Sequence, residues 1–115
     1  MLEAQSILEV AVAAPVMGVF DYRAPHTTDG PLQLGQRVRV PFGRGTRLGW
    51  LVGSKAASDL PEHRLRRVLS VLDAEPLLPP DLLRMLVWAS RYYQQPLGEV
   101  LGAALPKALR EGRDL

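Results

Sequence analysis

A run of alternating residues near the middle of the chain constrains its fold more than any other feature. Within residues 36–42, the apolar side chains of Val38, Val40 and Phe42 alternate with Arg37 and Arg39, which is the two-residue period of a half-buried strand. The glycine-containing segment 43–46 breaks this period, and residues 47–53 resume it. Two such runs joined by a short glycine-rich segment predict a β-hairpin with a basic strand face and a basic tip.

Other segments extend the β prediction on both sides of this hairpin. The β-branched stretch 7–12 predicts an opening strand, residues 19–22 predict a second short strand after a turn, and residues 67–72 predict a last one. Residues 25–31 are rich in turn formers and predict an exposed loop. The first two-thirds of the chain is therefore predicted to be a small, mostly antiparallel β-sheet with a barrel-like form.

The pattern changes at residue 79, where two prolines and Asp81 mark a helix start. A first helix is predicted to run to about Tyr93, and a second short helix from Pro96 to Ala104, which gives an α+β fold class. The helical period predicts that Leu82, Met85, Leu86, Ala89 and Tyr93 form the apolar face of the first helix. Arg84, Trp88 and Arg91 lie opposite, and we expect Trp88 to pack against the β part or another domain rather than to bind nucleic acid.

The composition fits one folded unit. With 115 residues, 47% of them hydrophobic and 23% charged, the chain has room for a single modest core, and we assign residues 1–106 to it and 107–115 to the start of a linker. No cysteine is present, so disulfides and thiolate chemistry are excluded. No apolar run approaches the ~20 residues that span a bilayer, and no secretory signal is evident, so we expect a cytoplasmic protein without a membrane partner.

The chain lacks the sequence motifs of several enzyme classes. The glycines of segment 42–49 have neither the spacing nor the lysine of a phosphate-binding loop. His26 and His63 lie far apart without nearby carboxylates at ligand spacing, which argues against zinc. Because no arrangement of a nucleophile and a base is evident either, we expect a binding domain without catalytic activity and without a cofactor.

The basic residues are concentrated in one part of the chain. The net charge is only +2, but no acidic residue occurs between Asp29 and Asp59. This region and the segment after it form a candidate anion-binding surface that includes Arg37, Arg39, Arg44, Arg47, Lys55, Arg64, Arg66 and Arg67. Arginines beside glycines allow close approach to phosphates, although a simple solvated charged strand explains the pattern equally well.

The segment Phe20-Asp21-Tyr22 is a second candidate site. On a strand its two rings share one face and Asp21 projects from the other, so two core aromatics around an exposed acid are the simpler interpretation. The alternative is a nucleotide site, in which the carboxylate accepts hydrogen bonds from a sugar hydroxyl or a base and a ring stacks on the base.

Several segments together resemble the amino-terminal domain of the PriA family of bacterial replication-restart helicases. They are FDY at 20–22, LGQRVRVPFG at 34–43, RLGWLVG at 47–53, RRVLSVLDAEPLL at 66–78 and WASRYYQQPLGEVLGAALP at 88–106. The resemblance implies capture of the free 3′ end of the leading strand at an arrested fork. It also implies that the terminal nucleotide lies in a pocket formed by Phe20, Asp21, Tyr22, Gly43 and a basic residue. Arg66 is the counterpart of a family lysine, a change of donor geometry, with Arg67 adjacent.

The predicted function is therefore binding of single-stranded DNA at a 3′ end, with Arg66 and the hairpin arginines Arg39, Arg44 and Arg47 attracting the backbone. The resemblance places the ATP-binding motor and the zinc-binding cysteines outside this chain, and it names the helicase core and other primosome proteins as partners. The alternative is a protein-interaction module whose tryptophan-bearing helix docks on the helicase core or on a replication partner.

Overall fold

The alternating and β-branched segments form the predicted strands. The computed structural model describes residues 7–28 and 30–105, so the predicted linker at 107–115 lies outside the described residues. The elements are β1 (Ile7–Val12), β2 (Phe20–Arg23), β3 (Arg37–Phe42), β4 (Gly45–Lys55), a 3-10 turn (Glu62–Arg64), β5 (Ser70–Val71), α1 (Pro80–Tyr92) and α2 (Leu97–Ala103). The predicted α+β class is confirmed. Neither helix of the described part is long and apolar enough to cross a membrane.

The five strands form one antiparallel sheet that curls on itself. The strand order is β2-β1-β4-β3-β5, so β2 and β5 occupy the two edges. The edges meet where Arg23 N–H donates to the carbonyl of Arg66 at 2.8 Å and Val68 N–H donates to the carbonyl of Arg23 at 3.0 Å. This contact closes the sheet into the predicted barrel-like form at one point, next to the end of β2.

The last predicted strand is regular over only two of its six residues. Residues 67–72 were expected to be one strand, but only Ser70 and Val71 pair with β3 as a ladder. The segment forms hydrogen bonds with two different strands. Its first residues bond to β2, while Leu69 N–H and Leu72 N–H donate to carbonyls of β3 at 2.8 and 2.9 Å. Because the segment changes its bonding partner from β2 to β3, its regular pairing with β3 is limited to two residues.

The two faces of the sheet are covered by two separate apolar cores. The inner face of the curled sheet buries Leu8, Val10, Val12, Tyr22, Val38, Val40 and Leu51. The outer face packs on the helices through Ala11, Leu48, Trp50, Leu83, Leu97 and Leu101. Close packing of α2 on β1 requires Gly98, since a Cβ there would lie 1.8 Å from the carbonyl oxygen of Val12. This contact holds the helical layer against the barrel.

The buried face of α1 differs from the predicted one. Leu82 and Leu86 pack against the core as predicted, but Met85 and Tyr93 are 56% and 64% exposed. Leu83 and Ser90 are buried instead. The shift is possible because the Ser90 hydroxyl donates to the Gln95 carbonyl at 2.6 Å, so a polar residue is satisfied inside the packed stripe.

Arg37 is buried, contrary to the prediction of a solvent-exposed basic face on β3. The alternation itself is correct, but Arg37 is only 1% exposed. Its guanidinium donates to Asp73 at 2.7 and 3.1 Å, and its backbone N–H also donates to that carboxylate at 2.8 Å. Arg37 thus connects β3 to the segment after β5. Because it is buried, it is no longer a candidate for the anion-binding surface.

Breaking this buried pair should destabilise the domain strongly. Replacement of Arg37 by methionine leaves the Asp73 carboxylate buried without its partner, at an expected cost of about 3–5 kcal/mol. Urea denaturation followed by circular dichroism measures the change. Arg84→Met is the matched control, since it removes an arginine from the exposed pair with Asp81 and should cost less than about 1 kcal/mol. Equal costs for the two variants would contradict a structural role of the buried pair.

Candidate nucleic-acid interface

Strand alternation separates the three residues of the Phe20-Asp21-Tyr22 segment onto two faces of β2. Tyr22 belongs to the barrel core, and Phe20 packs against that core while remaining half-buried. The Tyr22 hydroxyl donates to the Pro41 carbonyl at 2.7 Å. Burial raises the pKa of Tyr22, partly opposed by the positive charge of Arg66. Tyr22 is therefore a buried hydrogen-bond donor that fixes the end of β3.

The rings of Phe20 and Phe42 meet at one end of the barrel. Their centroids are 5.3 Å apart and their planes are inclined by 80°, an edge-to-face pair. Both residues are half-buried, so the pair is reachable from outside. Phe42 directly precedes the β3–β4 turn, so this contact joins the start of β2 to that turn.

Gly43 shapes the turn and receives Arg66. It is the first residue of the two-residue turn between Phe42 and Gly45, and its φ of +60° matches the glycine position of a type II′ hairpin turn. The Gly43 carbonyl accepts a hydrogen bond from Arg66 Nη1 at 2.9 Å. Arg67 points elsewhere and donates to the Ala24 carbonyl at 2.6 Å. Of the two adjacent arginines, Arg66 is the one beside Gly43 and Tyr22.

Asp21 lies on the opposite face of β2, where two donors hold its carboxylate. Lys55 Nζ is 3.0 Å and Ser58 Oγ is 2.5 Å from Asp21 Oδ2. The Asp21 side chain is 12% exposed. The hydrogen bond to Asp21 raises the pKa of Lys55 despite partial desolvation. Lys55 was one of several basic candidates in the sequence, whereas nothing in the sequence pointed to Ser58.

The main chain of Asp21 also faces outward. Arg23 bonds with residues 66 and 68 on the side of β2 away from β1. In an antiparallel strand the N–H and C=O groups of residues two apart point the same way. Asp21 therefore directs its backbone polar groups along this edge, next to the point where the barrel closes.

The hairpin arginines do not share one face. Arg47 is the cross-strand partner of Val40, while Arg39 is the partner of Leu48, so their side chains project from opposite faces. Arg44 and Arg47 are exposed at the tip, and Arg39 is half-buried. The tip, rather than one continuous strand face, carries the accessible charge. Within residues 7–28 and 30–105, no group of three histidine or acidic side chains is placed to hold a metal ion.

An exposed aromatic cluster covers the C-terminal half of α1. Trp88 is 58% exposed and stacks on Tyr92, with centroids 5.0 Å apart and planes inclined by 18°. Tyr93 contacts Tyr92 edge to face. Of the two arrangements expected for Trp88, packing against the β part of this chain is wrong, because α1 uses Leu83 and its neighbours for that contact.

The chain resembles known proteins over most of its length. The sequence profile of the 3′DNA-binding domain (3′BD) of PriA matches residues 9–106. The replication restart protein PriA of Haemophilus influenzae is 44% identical over 92% of this chain, and that of Bacillus subtilis is 35% identical over 79%. A probable replication restart protein PriA of Deinococcus radiodurans is 38% identical over 76%. The chain spans only 14%, 11% and 10% of these relatives, respectively.

The buried Tyr22 hydroxyl should make the domain sensitive to alkaline pH. Its raised pKa means that the stabilisation is fully present below the ordinary tyrosine pKa of about 10 and is lost as pH rises through the higher value in the folded state. Tyr22→Phe should cost about 1–3 kcal/mol at pH 8, because the Pro41 carbonyl loses its donor. Urea unfolding at pH 8 and pH 11 tests both statements. The difference between wild type and variant should shrink at pH 11, and a constant difference would contradict the assignment.

Proposed function

The chain belongs to the PriA 3′DNA-binding domain family, and on that premise we propose that it binds single-stranded DNA at a free 3′ end. In this proposal the 3′ end is that of the leading strand at an arrested replication fork, and binding there directs a PriA-type helicase to replication restart. The observation that carries the proposal is the hydrogen bond between Arg66 and the Gly43 carbonyl beside β2. It joins a cation to the turn, and the Arg66 carbonyl accepts the Arg23 N–H of the strand that bears Phe20 and Asp21.

The arginines supply attraction for the DNA backbone. Arg44 is exposed in the turn next to Gly43, the exposed Arg66 donates to the Gly43 carbonyl, and the exposed Arg47 follows on β4. Guanidinium groups bind phosphate oxygens with charge-assisted hydrogen bonds, and the affinity they supply falls as salt rises. Arg39 is half-buried on the other face, so we assign it a smaller share.

The terminal nucleotide is recognised at β2. The half-buried rings of Phe20 and Phe42 offer an apolar surface for a base, an interaction worth about 1–3 kcal/mol and tolerant of base identity. The Asp21 carboxylate accepts a hydrogen bond from the 3′ hydroxyl and repels a phosphate in the same place. Tyr22 has an indirect role and does not contact the nucleotide. Its hydroxyl donates to the Pro41 carbonyl and so fixes the position of the turn.

The domain acts by binding alone in this proposal. Catalysis of strand separation, with ATP and zinc, belongs to the rest of a longer polypeptide, which we take to be an ATP-dependent 3′–5′ helicase. No chemical step is assigned to residues of this chain.

Recognition of the end should depend on Asp21. Asp21→Ala should reduce affinity for an oligonucleotide with a 3′ hydroxyl by about tenfold, since a charge-assisted hydrogen bond is lost. Affinity for the same strand ending in a 3′ phosphate should fall less or rise, because repulsion is removed as well. Fluorescence anisotropy with oligonucleotides labelled at the 5′ end measures both.

Arg44→Gln and Arg47→Gln are the controls for this measurement. Each should weaken binding of both strands equally and reduce the salt slope, as expected for a phosphate contact. Equal losses for the two ends in Asp21→Ala would remove Asp21 from end recognition.

The exposed aromatic cluster supports a second function, docking on the remainder of the same polypeptide. Trp88, Tyr92 and Tyr93 are half or more exposed, together with Met85 on the same helix. The chain spans 14% of its Haemophilus influenzae relative, so most of such a polypeptide is available to cover this surface. Aromatic residues of this kind dominate the energetics of protein interfaces.

Truncation of Trp88 should separate docking from DNA binding. Trp88→Ala should weaken association of this domain with the separately expressed remainder of the polypeptide by about 30-fold, the effect of losing an interface anchor worth about 2 kcal/mol. Oligonucleotide binding should not change. Leu69→Ala, which shortens another exposed apolar side chain, on the barrel, is the matched control for calorimetric titration. Unchanged association in Trp88→Ala would exclude this surface as the docking site.

A further inference from the structure

We infer that Ser58 and Lys55 are positioning residues of the terminal-nucleotide site and act through Asp21. This inference rests on the proposed function, since it concerns how the carboxylate is presented to a 3′ end. Neither residue belongs to the segments that suggested the site. The structure brings both to Asp21 from the end of β4 and the loop that follows.

Both donors bind the same carboxylate oxygen. Lys55 Nζ and Ser58 Oγ reach Asp21 Oδ2, and no hydrogen bond from residues 7–28 or 30–105 reaches Oδ1. The Ser58 oxygen also accepts the Leu60 N–H at 3.1 Å, which leaves its proton directed at Asp21. The carboxylate is thus held in one rotation with Oδ1 available to accept from a ligand.

The loop that contains Ser58 leads directly to Arg66, the basic residue of the site. Between Lys55 and Arg66 it contacts β2 twice, through Ser58 with Asp21 and through Glu62 with Arg23 at 3.4 Å. It then delivers Arg66 to the Gly43 carbonyl. One segment therefore sets the position of the carboxylate relative to the cation and the turn.

Lys55 reduces the repulsion between the Asp21 carboxylate and the phosphates of the proposed ligand. An unpaired carboxylate at this position would repel the last phosphodiester of the strand as well as a 3′ phosphate. The ammonium group at 3.0 Å offsets part of that charge while leaving Oδ1 as an acceptor. Because its pKa is raised above an already high value, Lys55 stays protonated throughout the neutral range.

Loss of the Ser58 hydroxyl should reduce discrimination between 3′ ends. The measured quantity is the ratio of affinities for matched oligonucleotides with a 3′ hydroxyl and a 3′ phosphate. Ser58→Ala should lower this ratio about fivefold, because Asp21 loses a fixed orientation. Ser58→Thr keeps the hydroxyl and should retain most of the ratio. In an Asp21→Ala background, Ser58→Ala should produce no further change, since its effect passes through the carboxylate.

Lys55→Gln gives an independent readout. It should weaken binding of both oligonucleotides at least tenfold at low salt, since the Asp21 charge is no longer offset. Arg84→Gln removes the same charge and also unpairs an aspartate, but on α1, and should change either affinity less than twofold. Thermal denaturation of every variant verifies folding, which should be preserved because Ser58 and Lys55 are half-buried and lie outside both apolar cores.

The outcomes distinguish the two proposals. If the wild-type chain shows no preference for a 3′ hydroxyl, both fail. If wild type discriminates and Asp21→Ala does not, but folded Ser58→Ala keeps the full ratio, only the positioning role is overturned. A further loss from Ser58→Ala in the Asp21→Ala background also overturns it, since Ser58 would then act independently of the carboxylate.

Discussion

The buried contact between Arg37 and Asp73 anchors the segment that closes the sheet. Asp73 accepts from both the side chain and the main chain of Arg37, and the carbonyl of Asp73 accepts from the Gln36 side chain at 2.9 Å. These bonds fix the end of the segment that starts at residue 66. That segment runs along β3 and reaches β2, so the ion pair sets the closure of the sheet and, through it, the place of Arg66.

The candidate site follows from this closure rather than from any single motif. Antiparallel pairing puts the end of β3 and the start of β2 at the same end of the barrel, where Phe42 meets Phe20. Arg66 reaches the same end because its segment is anchored on both sides. Asp21 enters from the other face of β2, so the site combines an inner aromatic part and an outer polar part around one short strand.

The sequence predicted local structure well because local structure depends on local patterns. The two-residue period gave β3 and β4, and the prolines before Asp81 gave the start of α1. Burial depends on distant partners, so the period could not show that Asp73 encloses Arg37 or that α1 turns Met85 and Tyr93 outward.

The sequence likewise predicted some residues of the candidate site but not the contacts between them. Family resemblance and alternation brought Phe20, Asp21, Gly43 and Arg66 to attention, and the structure gathers three of them at the barrel end with Asp21 on the reverse face. Ser58 carried no signal because a single serine in a polar loop is common in any chain. Only the path of the loop over β2 shows what it touches.

The closure of the sheet also limits the strand edges that remain exposed. Free strand edges are templates on which other copies of a chain add, and aggregation follows. Here one outer strand has four residues, the last of which is already bonded, and the other has two. Edge strands this short present few unpaired backbone groups to a neighbouring molecule, so the closure that leaves part of β2 open to a ligand exposes little template for another copy of the chain.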